Sequence, residues 1–141
     1  MSDVTVVTRI VVSAFAESVA RGLSQEGIDT FYDLSTPEAF SKRLTEHNKL
    51  FVCEDQDEIL GMIELKEGRH VAMLFVSPDC QKQGIGRKLV SAALKYSRVR
   101  SVTVSASLQS VPVYTKYGFC VVGEEEGKEG LRYIPMKIDL D

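Results

Sequence analysis

The sequence has few cysteines and no long apolar run, and each absence excludes a class of protein. Its three cysteines, Cys53, Cys80 and Cys120, are too few and too widely spaced for a disulfide framework. No C-x-x-C pair or Cys/His cluster has the spacing of metal ligands, so we expect no metal. The apolar runs fall far short of the roughly 20 residues of a membrane helix, and the first residues lack the character of a signal peptide. The sequence therefore predicts a cytoplasmic protein with no membrane partner.

Linkers, repeats and low-complexity tracts are also missing. The 141 residues are 44% apolar and 26% charged, a composition typical of soluble folded proteins. A chain of this length buries roughly 68–70% of the surface that its unfolded form exposes. We therefore expect one domain over residues 1–141.

Carboxylates are missing from the middle of the chain. Residues 80–123 carry seven basic side chains and no acidic one, whereas residues 1–79 have a net charge of -7 and residues 124–141 a net charge of -3. Such a positive stretch suits an anionic ligand, although the solvated face of one helix would look the same. Nucleic acid is not an expected partner, because the chain is acidic overall and the basic stretch lacks interleaved aromatic residues.

The spacing of apolar residues predicts helices first and a sheet afterwards. Helices are expected over residues 4–20, 25–34 with an interruption near Gly27, 37–47 and 84–97. Strands are expected over residues 50–53, 59–65, 71–76, 101–105, 121–124 and 131–138. The run Glu124-Glu125-Glu126 is expected in an exposed turn between the last two strands. The alternative is an acidic groove for a cationic amine, formed together with the region of Glu17, Glu26, Asp29 and Asp33.

Residues 71–89 form the most informative segment. A buried strand ends before Pro78, and two glycines, Gly84 and Gly86, then admit a close approach of the backbone to a ligand at the start of a helix. The unpaired amides and dipole of a helix N-terminus attract phosphate, and Lys82 and Arg87 add positive charge. The pattern predicts a pyrophosphate site; a plain glycine turn would explain the glycines but not the cations.

Two common phosphate motifs do not fit this segment. A Walker loop requires Lys and then Ser or Thr after its second glycine, but Arg87 and Lys88 follow Gly86. A dinucleotide fingerprint requires a third glycine where Leu89 stands and an acidic residue about 20 positions later. The first carboxylate after Asp79 is Glu124, so neither an NTPase nor a Rossmann site is expected.

The same segment resembles the acyl-CoA motif Q/R-x-x-G-x-G/A of the GNAT N-acetyltransferase superfamily. Gln81, Gly84 and Gly86 occupy its fixed positions. Downstream, Val113-Tyr114-Thr115-Lys116-Tyr117-Gly118-Phe119 is similar to the superfamily's second signature, an apolar residue, Tyr, three variable residues and Gly-Phe. The two motifs occur in the expected order, and the resemblance is looser before residue 35, where the usual first strand is short or missing.

The resemblance implies a fold and a coenzyme site. The fold would be of the α/β (α+β) class, with a mixed, mostly antiparallel sheet flanked by helices, whose family strands four and five splay apart at a bulge. The pantetheine arm of acetyl-CoA would enter this gap, held by backbone groups of Leu74 and Val76. Residues that match the coenzyme site by position are Leu74, Phe75, Val76, Gln81, Lys82, Gln83, Gly84, Ile85, Gly86, Arg87 and Ser107.

The implied reaction is acetyl transfer from acetyl-CoA to a primary amine of a small molecule or peptide, by direct attack in a ternary complex. The resemblance assigns Tyr114 as the general acid for the leaving thiolate, a reasonable role because a phenol of pKa about 10 and a thiol of pKa about 8.5 can share a proton. The general base is open, since Ala72 stands where many relatives have Glu. Candidates are His70 and Glu64, although Glu64 is expected on a solvated face.

Several alternatives remain open. Because Ala72 replaces the customary acidic residue, one alternative is a domain that binds acyl-CoA as a sensor or scaffold without catalysing a reaction. A third possibility is a thiol mechanism through Cys80. The cysteines are otherwise expected as reduced core residues. Ser110 is expected to cap the helix that carries Tyr114. An exposed final strand makes a homodimer possible.

Overall fold

The computed structural model describes residues 3–18, 24–56, 58–77 and 84–140. The helices are α1 (Asp3–Ser18), α2 (Gln25–Leu34), α3 (Pro37–Leu44), α4 (Ile85–Leu94) and α5 (Val111–Lys116), the last preceded by a 3-10 turn at Leu108–Ser110. The strands are β1 (Asn48–Asp55), β2 (Glu58–Lys66), β3 (His70–Val76), β4 (Ser101–Ala106), β5 (Cys120–Val121), β6 (Glu126–Lys128) and β7 (Leu131–Asp139). Within the described ranges no helix is long and apolar enough to span a bilayer.

The predicted N-terminal helix is confirmed over residues 4–18, and residues 19 and 20 lie outside the described ranges. One face of α1 is buried, and its members recur every three or four residues, as in an amphipathic helix. They are Val7, Ile10, Val11, Ala14 and Phe15. This face places α1 against the sheet, next to α2 and α3.

The predicted interruption of α2 near Gly27 is wrong. The helix is continuous, and the Ser24 side chain caps it by accepting the Gly27 N–H at 3.2 Å. Gly27 is buried, and a Cβ on it would overlap the carbonyl oxygen of Gly130. Close approach of two backbones, rather than a helix break, therefore explains this glycine.

A capped N-terminus starts α3, although the helix is shorter than expected. Thr36 accepts the Ala39 N–H at 3.0 Å, and Pro37 occupies the first helical position, where its missing N–H costs nothing. The helix ends at Leu44, and a turn over residues 45–47 leads into β1. This short helix delivers Arg43 to the sheet.

In the part of the chain that the structure describes, seven strands form one mixed sheet in the order β1-β2-β3-β4-β7-β5, with β6 beside β7. Every neighbouring pair is antiparallel except β3 with β4. Helices cover both faces: α4 packs on one apolar layer, and α1 to α3 pack on the other. The expected fold class is confirmed.

β3 and β4 separate soon after they meet. Their pairing is limited to residues 70–71 of β3 and 103–104 of β4. On its other edge β3 continues to pair with β2, with a one-residue register shift that makes Ala72 a bulge. Bulges bend a strand and disrupt its ladder, so the predicted splay at a bulge is confirmed. Because no strand precedes α1 in the described part, these two strands correspond to the family's fourth and fifth.

The C-terminal hairpin differs from the prediction. Two short strands, β5 and β6, precede β7 and pair with it, and the turn lies at Glu129 and Gly130, which both have positive φ angles. Glu124-Glu125-Glu126 therefore precedes the turn, although it is exposed as expected. The turn packs against α2, where the Thr30 hydroxyl donates to the Glu129 carbonyl oxygen at 2.8 Å.

Candidate active site

A cavity of about 530 Å³ opens where β3 and β4 separate. It extends from β3 and the start of α5 to α2 and the turn between β6 and β7. Four of the residues predicted from sequence, Leu74, Phe75, Ser107 and Tyr114, line this cavity. The strand that precedes the first motif and the helix of the second motif therefore meet at one site, whereas Gly84, Ile85, Gly86 and Arg87 lie outside this cavity.

The backbone of β3 presents polar groups to this opening. Ser77 donates its N–H to the carbonyl oxygen of Leu60 on β2 at 2.8 Å. Because successive peptide groups of a strand point to opposite edges, those of Leu74 and Val76 point to the β4 side. A ligand that hydrogen-bonds like an added strand would bind along this edge.

Tyr114 is the buried phenol of the cavity, with 6% of its surface exposed. Its ring makes edge contacts with Tyr117 and Phe119, at centroid distances of 6.1 and 5.4 Å. Burial, followed by the neighbouring Tyr117, raises the pKa of Tyr114 well above its usual value of 10.0. The phenol therefore keeps its proton at neutral pH, as a general acid must.

The N-terminus of α4 begins at Gly84, whose φ of 81° is in the left-handed region that favours glycine. The N–H of Lys88 bonds the carbonyl oxygen of Gly84 at 3.1 Å. The three preceding amides, including those of Ile85 and Gly86, therefore have no carbonyl partner within the helix. Three further predicted coenzyme residues, Gln81, Lys82 and Gln83, lie outside the described residues.

Arg87 is held beside α5. Its guanidinium donates to the carbonyl oxygen of Lys116 at 3.0 Å and lies 5.5 Å from the centre of the Tyr117 ring. Gly86 supports the same arrangement, because a Cβ there would overlap the Tyr117 hydroxyl. These contacts join the start of α4, which carries a positive charge, to the helix that carries Tyr114.

Ser107 and Ser110 form a polar pair in the wall of the cavity, with their hydroxyl oxygens 2.7 Å apart. The predicted cap is wrong in its detail: Ser110 precedes α5 but its side chain makes no capping hydrogen bond. Its backbone is already in the right-handed helical region, whereas a capping residue is usually extended. Pro112 lies in the first turn of α5, where its missing N–H costs nothing.

His70 lies in a different cavity from Tyr114. This second cavity, of about 650 Å³, shares Leu34, Ala72 and Met73 with the first. The imidazole Nδ1 of His70 is 2.7 Å from the Thr103 hydroxyl. Burial, followed by the charges of Arg69 and Lys66, lowers the pKa of His70 below 6.5, so the ring is neutral at pH 7 and able to accept a proton.

Glu64 is fully buried, which contradicts its predicted solvated position. Arg43 donates to both carboxylate oxygens, at 2.8 and 3.1 Å, and Asn48 donates at 2.7 Å. Arg43 also donates to the carbonyl oxygen of Leu34 at 2.9 Å. Since β2 lies between two other strands and has helices on both faces, neither face of its centre is solvated. Glu64 lines the second cavity, not the one that contains Tyr114.

The alternative of an acidic groove formed by residues 124–126 is wrong for both cavities. Neither cavity is lined by Glu124, Glu125 or Glu126, and the carboxylate at the first cavity is that of Glu129. Within the described ranges no group of acidic, His and Cys side chains could hold a metal ion. The expectation of core cysteines is wrong for Cys120, which is exposed; Cys80 lies outside the described residues.

Sequence reasoning missed one wall of the first cavity. Thr30, Phe31 and Leu34 of α2 line it together with Glu129 and residues 131–133 at the start of β7. These two segments are about 100 positions apart, and the contact of Gly27 with Gly130 brings them together. Gly27 was the available signal, but the sequence predicts only a local helix break there.

Comparison with known proteins gives the same assignment. The family model described as an acetyltransferase (GNAT) domain matches residues 19–140. The peptidyl-lysine N-acetyltransferase YjaB of Salmonella typhimurium is 36% identical over 96 residues. That match covers 67% of this chain and 66% of the relative, slightly less than two thirds of the relative's length.

Two solved structures share the fold over nearly the whole chain. A GCN5-related N-acetyltransferase from Rhodopseudomonas palustris has a TM-score of 0.86 at 23% identity, covering 98% of this chain and 90% of its own. The PaiA N-acetyltransferase from Thermoplasma acidophilum, solved with coenzyme A, has a TM-score of 0.79 at 18% identity. The match covers 97% of this chain and 92% of the PaiA chain. The family match, together with the splayed strands, shows that the chain belongs to the GNAT acetyltransferase family.

Proposed function

We propose that this protein transfers an acetyl group from acetyl-CoA to a primary amine. The observation that carries the proposal is the opening between β3 and β4, which begins at the Ala72 bulge and contains Tyr114. The family membership supports it, as does the coenzyme A in the PaiA structure. Among amines, we propose a lysine side chain, the acceptor named for the Salmonella relative.

The coenzyme would bind along β3, with its two ends at different elements. Its pyrophosphate would lie at the start of α4, near the amides of Gly84 to Arg87. The positive end of the helix dipole and the Arg87 guanidinium favour an anion there. The pantetheine arm would hydrogen-bond the β4-facing backbone of Leu74 and Val76. The Ser107 hydroxyl and the Phe75 side chain would form parts of the surrounding wall.

Catalysis would consist of one acyl transfer with two proton movements. The neutral amine attacks the thioester carbonyl, a C–N bond forms and the C–S bond breaks. The Leu74 N–H would stabilise the charge that develops on the carbonyl oxygen, and Tyr114 would give its proton to the departing sulfur. No covalent enzyme intermediate is required, because both substrates are held together.

The amine must lose a proton, and we propose His70 as the acceptor. The lowered pKa of His70 keeps the ring unprotonated at neutral pH. The partition made by Leu34, Ala72 and Met73 separates His70 from the cavity of Tyr114, so the transfer would use water. The small Ala72 side chain leaves room for such water.

We also propose a cytoplasmic location for the protein. Free thiols at Cys53 and Cys120 fit this location, because the cytoplasm keeps thiols reduced.

Calorimetry with acetyl-CoA tests the coenzyme site. We expect binding that weakens with added salt and falls at least tenfold in Arg87→Glu, because the substitution places a negative charge beside the pyrophosphate. Arg100→Glu, an equal charge change at an exposed position outside both cavities, controls for net charge. Equal losses in the two variants would reject a pyrophosphate site at α4.

A thiol-release assay with lysine peptides tests the reaction. Tyr114→Phe should lower kcat at least tenfold, since oriented proton transfer contributes about 10²- to 10⁴-fold, with little change in coenzyme binding. The control is Tyr96→Phe, which removes the hydroxyl of an exposed tyrosine whose ring contacts Phe51 in a tilted arrangement. Coenzyme binding without turnover of any amine would instead favour a sensor.

A further inference from the structure

The partition between the two cavities is thin at Ala72. Leu34, Ala72 and Met73 line both cavities. Of these, Ala72 contributes a single methyl group, and it is exposed although it lies between the two spaces. The bulge makes it an extra residue, with no partner of its own in the ladder with β2. A larger side chain at this position would close the connection.

In the proposed binding mode, the coenzyme would direct its acyl group toward this partition. Its pyrophosphate would lie at α4, which follows the C-terminal end of β3, so its thioester would lie further back along the strand, near Leu74. The acyl carbons continue in the same direction, toward Met73 and Ala72. Beyond them β4 pairs with β3 and closes the opening, which leaves the passage beside Ala72 as the space for a longer chain.

We infer that the protein also accepts short acyl-CoA donors longer than acetyl, with acyl groups of three or four carbons, and that Ala72 permits this. The inference rests on the proposed function, since it needs the thioester at Leu74. The reaction is balanced as for acetyl: the amine nitrogen bonds the acyl carbon, the C–S bond breaks, the amine proton leaves to base and the thiolate is protonated.

The chemistry of the passage limits the chain length. Leu34 and Met73 give the added methylenes apolar contacts beside Ala72. Further into the second cavity the wall is polar or charged, with Glu46, Lys66 and His70 among its residues. An apolar chain that reached those groups would displace their water without replacing its hydrogen bonds. Butyryl therefore fits the apolar section.

Calorimetry with CoA, acetyl-CoA and butyryl-CoA tests the inference without relying on turnover. Wild-type protein should bind butyryl-CoA within threefold of acetyl-CoA or more tightly, because each methylene that leaves water contributes up to about fourfold (~0.8 kcal/mol). A butyrylated lysine peptide, detected by mass spectrometry, should also form, but more slowly than the acetylated one, because the longer chain displaces water beside Ala72 that would carry the amine proton to His70. Butyryl-CoA that binds more than tenfold more weakly than acetyl-CoA would overturn the inference.

Closing the passage should weaken the binding of butyryl-CoA relative to that of acetyl-CoA. Ala72→Leu, and Leu34→Phe from the α2 side, should each raise the ratio of the butyryl-CoA to acetyl-CoA dissociation constants at least tenfold. The exposed Ala16 provides a matched control, and Ala16→Leu should leave the ratio unchanged. An unchanged ratio in both closing variants would overturn the role of Ala72. Failure of acetyl-CoA itself to bind would instead reject the proposed function.

Discussion

Replacing Glu64 by leucine should destabilise the protein far more than an ordinary loss of charge. The substitution leaves the Arg43 guanidinium without the carboxylate that accepts two of its hydrogen bonds, and Asn48 without its acceptor. Removing one partner of a buried ion pair costs about 3–5 kcal/mol. We expect the lower end, about 3 kcal/mol, because 20% of the Arg43 side chain remains exposed.

That loss should be visible in thermal unfolding. For 141 residues the entropy of unfolding is roughly 0.3 kcal/mol per kelvin, so Tm should fall by about 10 °C. Glu67→Leu is the matched control, because Glu67 forms an ion pair with Arg69 in which both side chains are 43–50% exposed. Such exposed pairs contribute about 0–1 kcal/mol.

Thermal unfolding of the two variants, followed by circular dichroism, tests whether the pair of Arg43 and Glu64 is buried. Equal changes in Tm for Glu64→Leu and Glu67→Leu would refute the buried pair. The double variant Arg43→Leu/Glu64→Leu should recover part of the loss, since it removes the unpaired charge. It should not restore activity fully, because Arg43 also holds the carbonyl oxygen of Leu34, which lines both cavities.

Two further predictions concern packing and pH. Gly86→Ala should lower the free energy of unfolding by about 1–3 kcal/mol and weaken coenzyme binding, because its methyl group overlaps the Tyr117 hydroxyl. Adding Tyr117→Phe, which removes that hydroxyl, should recover stability. No recovery in the double variant would contradict the overlap. Because the pKa of His70 is lowered in the folded protein, His70 is protonated at a higher pH in the unfolded chain than in the folded one. The stability that neutral His70 contributes is therefore present above pH 6.5 and is lost as the pH falls through its folded pKa. His70→Gln should therefore flatten the decline of unfolding free energy below pH 6.5 in urea titrations, and an unchanged slope would contradict the assignment.

Much of the fold and the family membership follow from short-range patterns. The glycines after β3 and the Tyr114 segment each lie within a few consecutive residues, so their spacing is visible in the sequence and carries the resemblance to the GNAT family. The amphipathic face of α1 is equally local. These signals do not depend on which distant segment packs nearby, and for that reason sequence reasoning found them.

The errors involve residues whose surroundings come from far along the chain. Alternation along β2 suggested a solvated Glu64, but Gly61 to Leu65 are all buried because helices cover both faces of the strand. Arg43 reaches Glu64 from a helix 21 positions earlier. Gly27 likewise contacts Gly130 across the molecule. A local pattern contains no information about such partners, and the wall of the cavity formed by α2 and β7 was missed for the same reason.

A crystal structure of the complex with acetyl-CoA tests the central claim most directly. We predict that the arm lies between β3 and β4, with the Leu74 backbone at a hydrogen-bond distance of about 2.7–3.2 Å and the sulfur within reach of the Tyr114 hydroxyl. A coenzyme bound outside this opening, or a sulfur atom far from Tyr114, would contradict the account.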